Sequence, residues 1–80
     1  MIIYLHGFNS GGASQKAIWL REHLAPIVVF APTYTPHRAR EAVRELRKFI
    51  ARLRRENPRD SKLMLMGSSL GGFWAQYLAP

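Results

Sequence analysis

The sequence contains no cysteine, which excludes disulfide staples and thiolate metal sites, so an 80-residue fold of this kind must rely on packing alone. Acidic residues are scarce: five stand against twelve Lys and Arg, for a formal charge of +7. Long apolar runs are missing too. The opening Met1-Ile2-Ile3-Tyr4-Leu5-His6-Gly7 has no basic leader, and its apolar stretch is far too short for a signal peptide or a membrane span. These absences lead to the expectation of a cytoplasmic protein without membrane contact. No internal repeat or low-complexity tract interrupts the chain, and its length fits one small domain near marginal stability.

What the chain does contain is a regular alternation of short apolar runs and helical patterns. Ile2 to Leu5 lacks polar alternation and stops at His6-Gly7, as a strand buried on both faces would. The turn formers Asn9, Ser10, Gly11 and Gly12 follow, and Ser14 is placed to cap a helix over Gln15 to Leu24 with Ile18, Trp19 and Leu24 inward. Pro26 ends that helix. Ile27 to Phe30, bounded by Pro26 and Pro32, reads as a second buried strand. Thr35 as N-cap and Pro36 in the first turn introduce a long helix with Ala39, Ala42, Val43, Leu46, Phe49, Ile50 and Leu53 at helical spacing. Asn57-Pro58 closes it, Asp60-Ser61 turns the chain, and Leu63 to Met66 forms a third apolar run leading into a last helix that reaches Ala79.

Strand, helix, strand, helix, strand, helix implies right-handed parallel crossovers. The expected class is therefore α/β, a three-layer α/β/α arrangement over a short parallel sheet of three strands, with the first strand central.

Chemistry concentrates at Gly67-Ser68-Ser69-Leu70-Gly71, a G-x-S-x-G pattern set between an apolar strand and an amphipathic helix. In such an elbow the serine sits in strained backbone, and Gly67 and Gly71 remove side chains that would clash in so sharp a turn. Ser69 is the expected nucleophile. The Leu70 N–H, at the start of the helix, is an expected oxyanion donor. A blander reading makes Gly67 to Gly72 a glycine-rich turn that binds an anion such as phosphate. His6-Gly7-Phe8 opens a loop that reaches the same sheet edge if the first and third strands are neighbours, and the Phe8 N–H is the expected second donor. His6 itself reads as a hydrogen-bonded structural residue more readily than as a base.

The Ile3-Tyr4-Leu5-His6-Gly7-Phe8-Asn9-Ser10 opening and the Gly67-Ser68-Ser69-Leu70-Gly71-Gly72-Phe73 elbow resemble the YqiA-like family of small bacterial α/β-hydrolase esterases. The resemblance implies a cytoplasmic carboxylesterase acting on short or moderate acyl esters, with a partial α/β-hydrolase fold in this chain. It also implies a catalytic acid and a histidine well downstream of the elbow, beyond Pro80.

An acyl-transfer serine needs a base and a group that orients it. Asp60 precedes the third strand while Ser69 follows it, a separation of roughly 13 Å. His23 falls at the end of the first helix, on the opposite sheet edge. His37 is on the right edge, but it begins the long helix with only Glu41 nearby. The expectation is that these residues form the N-terminal part of a single hydrolase domain, inactive or nearly so alone. The uncovered third strand would then meet the missing C-terminal half or a second copy.

No cofactor and no metal are expected, and the partner is a small acyl-ester substrate; Phe8 and Phe73 are close enough to the elbow to line an acyl pocket. Trp19, Trp74, Phe49 and Tyr77 read as core. An alternative assigns the basic helix 38–56, with Arg40, Arg44, Arg47, Lys48, Arg52, Arg54 and Arg55, to nucleic acid or an anionic membrane surface. Interspersed Glu41, Glu45 and Glu56, and the lack of aromatics on the basic side, favour a solvated face instead. A degenerate, non-catalytic remnant is the third possibility.

Overall fold

The computed structural model describes residues 1–7, 15–59 and 62–79. Its organising element is β1 (Ile2–Leu5), all four of whose side chains are buried. β1 pairs in parallel with β2 (Val29–Phe30) on one side and β3 (Met64–Gly67) on the other, so the first strand is central, as expected.

Alternation along β1 sends successive side chains to opposite faces and divides the core. Ile3 and Leu5 join Tyr34, Ala42, Leu46, Leu53, Trp74 and Ala75 in the larger cluster, under α2 (Ala39–Glu56) and α3 (Leu70–Leu78). Ile2 and Tyr4 join Val29 with Ala17 and Leu20 of α1 (Gln15–Leu24) on the other face. The described residues thus form a mixed α/β fold of three helices on a three-strand parallel sheet.

Several local expectations change. In α1 the buried residues are Ala17 and Leu20, while Ile18 and Trp19 are 45% and 54% exposed; Leu24 is partly buried as expected. Four consecutive apolar residues wrap around a helix, so their spacing does not choose a face. The second strand is two residues long rather than four. Ile27 lies in a turn closed by its N–H to the Leu24 carbonyl at 2.9 Å, and Ile27 and Val28 are exposed. The third strand pairs with β1 and stands at the edge of the described sheet, as expected, with Met64 59% exposed.

The long helix starts at Ala39, not directly after Thr35, and extended Arg38 is its N-cap residue. The segment before it is held as a turn: the Thr35 N–H donates to Glu45 Oε2 at 3.1 Å, and buried Pro36 accepts the Trp74 indole N–H at 2.9 Å. Ala42, Leu46 and Leu53 form the buried stripe, with Val43, Phe49 and Ile50 packed against it. Asn57 ends the helix by donating both its backbone N–H and its Nδ2 to the Leu53 carbonyl. On α3, Gly71, Trp74 and Ala75 face the sheet. Tyr77, on the outer side, is 57% exposed instead of buried, and Phe73 one turn before it is 50% exposed. The Ser14 cap, the Asn9 to Gly12 turn and Asp60-Ser61 lie outside the described residues.

Candidate active site

Parallel pairing brings the ends of β1 and β3 together, with Leu5 opposite Gly67. Beyond that pair the Ser68 N–H donates to the Leu5 carbonyl at 3.3 Å, which ties the turn after β3 to the end of the central strand. The chain then reverses at Ser69, whose φ of 56° and ψ of −127° make it the one non-glycine positive-φ residue among those described. Side chains cost free energy in this region, so Ser69 holds strained backbone between strand and helix. Its side chain is exposed.

The neighbouring glycines explain how the bend is made. A Cβ on Gly67 would stand 2.2 Å from the Gly71 carbonyl oxygen, and one on Gly71 would stand 1.9 Å from that of Leu5. Backbone therefore packs directly on backbone where α3 starts. Gly72 is different, since its nearest neighbour would be the Gly67 carbonyl at 3.5 Å. Gly7 lies against the serine: a Cβ there would be 3.0 Å from Ser69 Cβ and 3.5 Å from its Oγ. Gly7, just after β1, thus faces the elbow.

The Gly71 and Gly72 N–H groups donate to the Ser68 and Ser69 carbonyls at 2.9 and 3.0 Å. The Leu70 N–H takes no described backbone acceptor and sits in the first turn of α3, where the helix dipole adds positive potential. Phe8, the other expected donor and pocket residue, lies outside the described residues.

The histidines fall in three different settings. His6 is 2% exposed, and both ring nitrogens are engaged: Nε2 accepts the Tyr34 N–H at 3.3 Å, which leaves Nδ1 to donate to the Gly7 carbonyl at 2.8 Å. This tautomer serves structure. The Tyr34 hydroxyl in turn donates to the His6 carbonyl at 2.8 Å, and burial, followed by the nearby Tyr4, pushes its pKa up to about 12. His23 is exposed at the C-terminal end of α1, stacked on Trp19 with Nδ1 on the Trp19 carbonyl. His37 is exposed in the turn before α2. The His6 ring nitrogens are committed away from Ser69, His23 is held at the far end of α1, and Asp60 lies outside the described residues.

Sequence reasoning missed the polar pair behind the elbow. Buried Tyr4 and Ser68 share a hydroxyl-to-hydroxyl hydrogen bond of 2.6 Å. Both border a cleft of about 740 Å³ on the α1 side, together with Lys16, Trp19, Leu20 and Met66. Phe73, the expected pocket residue, stands apart from it, 4.9 Å from Trp74 ring to ring. A tyrosine in an otherwise aliphatic strand was the available signal for the pair.

Among the described residues no group of three or more metal-ligating side chains occurs, and no helix is long and apolar enough to cross a membrane. The seven basic residues from Arg40 to Arg55 are exposed, while the apolar side of α2 is committed to the core.

The comparison with known proteins gives one family: residues 1–80 match the "Uncharacterised protein family (UPF0227)". UPF0227 proteins of Yersinia enterocolitica and Yersinia pseudotuberculosis are each 37% identical to the chain over 78 residues, covering 95% of it. The chain spans 42% of the length of these relatives. No solved structure gives a significant match.

Proposed function

The chain belongs to the uncharacterised protein family UPF0227, and we propose that it carries the nucleophile half of an α/β-hydrolase active site that cleaves carboxylic esters through Ser69. The observation that carries the reading is the Ser69 backbone at φ 56°, ψ −127°, between a parallel strand and a helix, with Gly7 against its side chain. Strain on a serine has a use when its hydroxyl must stand clear of the sheet. The same observation weighs against a phosphate-cradling turn, since no described glycine has positive φ and the strained position is the serine.

In this reading the fold is the N-terminal part of the three-layer α/β-hydrolase architecture of a cytoplasmic carboxylesterase. A base removes the Ser69 Oγ proton as Oγ attacks the ester carbonyl. The oxyanion is held by the Leu70 N–H and by that of Phe8. Collapse expels the alcohol, which takes the proton from the base, and water then hydrolyses the acyl-serine by the same steps. The base and its orienting acid are assigned, in this reading, to the part of the relatives' length that the chain does not span, in keeping with the engaged ring nitrogens of His6 and the place of His23 at the far end of α1.

The test is covalent labelling of the full-length protein with a fluorophosphonate, followed by mass-spectrometric mapping of the adduct. The expected adduct is on Ser69, lost in Ser69→Ala. Equal labelling of that variant, or an adduct elsewhere, refutes the assignment.

A further inference from the structure

The cleft beside the elbow has a chemical character of its own. Its floor is the Tyr4–Ser68 hydroxyl pair, held at 2.6 Å by a tyrosine whose ring is only 4% exposed. Trp19, Leu20 and Met66 give it apolar walls. Lys16 is the only charged side chain among its described lining residues, with no acidic side chain there and no ion-pair partner among the described residues. An ammonium with no acidic neighbour among the described lining residues, beside an apolar wall, selects an anion carried on a hydrocarbon stem. Trp19 borders the cleft at 54% exposure, with its ring stacked on His23 at 4.1 Å.

We propose that this cleft is the subsite for the non-reacting end of the substrate, and that the substrate is an anionic ester, with a carboxylate set a few methylenes from the ester carbonyl. This rests on reading Ser69 as the nucleophile. Lys16 pairs with the carboxylate, Trp19, Leu20 and Met66 enclose the methylenes, and the ester end leaves the cleft past Ser68, the residue next to Ser69 in the chain.

Binding is measured on the full-length Ser69→Ala protein, in which turnover is blocked, by titrating tryptophan emission with monoethyl adipate and with its neutral analogue diethyl adipate. Trp19 borders the cleft, whereas Trp74 is buried with its indole bonded to Pro36, so the response belongs to Trp19 and disappears in Trp19→Phe. The half-ester is expected to bind roughly tenfold tighter than the diester, the scale of one partly solvated ion pair. Lys16→Gln is expected to bring the ratio to about one and Lys16→Arg to keep it. Equal affinities in the parent protein, a preference that survives Lys16→Gln, or no binding of either probe overturns the proposal. The two readings fail separately. Lys16-dependent binding without fluorophosphonate labelling of Ser69 would sink the hydrolase and leave an anion site, and labelling without charge preference would sink the subsite alone.

Discussion

Replacing Ser69 by glycine and, separately, by alanine isolates the backbone contribution at the elbow. Both changes remove the exposed hydroxyl, and they differ in what φ 56°, ψ −127° costs them. A residue with a Cβ held in such a region loses of order 1–3 kcal/mol, which alanine keeps and glycine relieves. Glycine loses about 0.5–1 kcal/mol more chain entropy on folding. The glycine protein is therefore expected to be about 1 kcal/mol more stable than the alanine protein. Urea unfolding followed by far-UV circular dichroism measures the difference, with equal slopes confirming that the unfolded states match. An alanine protein as stable as the glycine one would mean that position 69 is unstrained, and the elbow geometry would be wrong.

The two glycines of α3 should respond in opposite ways. Gly71→Ala drives a Cβ to 1.9 Å from the Leu5 carbonyl oxygen, pushes α3 off β1 and should cost at least about 1–3 kcal/mol. Gly72→Ala meets nothing closer than 3.5 Å and should gain up to ~1 kcal/mol from helix propensity; thermal melts of the pair decide. Tyr34 predicts an alkaline limb: its hydroxyl titrates at about 12 in the fold against 10.0 unfolded, so its stabilisation is whole below pH 10 and is lost as pH rises through 12. The loss is roughly 3 kcal/mol, and Tyr34→Phe should flatten the stability profile over that window; an unchanged profile would rule the assignment out.

The order of elements and the elbow were legible because both are written locally. Apolar runs ending in glycine mark β1 and β3, the stripe of Ala42, Leu46 and Leu53 marks α2, and G-x-S-x-G needs only its flanking strand and helix. What stayed hidden depends on partners distant in sequence. Ala17-Ile18-Trp19-Leu20 offers apolar residues all round α1, and only the side chains of Ile2, Tyr4 and Val29 decide that Ala17 and Leu20 go in. The start of α2 is set by Glu45 and Trp74 holding Thr35 and Pro36, contacts that no local cap pattern reports. The cleft was invisible for the same reason, since Tyr4, Lys16 and Ser68 meet only once the sheet has formed.

The split core carries a dynamical consequence. β1 hands Ile2 and Tyr4 to α1, and Ile3 and Leu5 to the helices behind, so the two sides communicate through one four-residue strand. The α1 side rests on the smaller set of buried groups, two of which, Ala17 and Leu20, it contributes itself. It is the side expected to exchange its amide hydrogens first, because sub-global opening follows the fewest buried contacts.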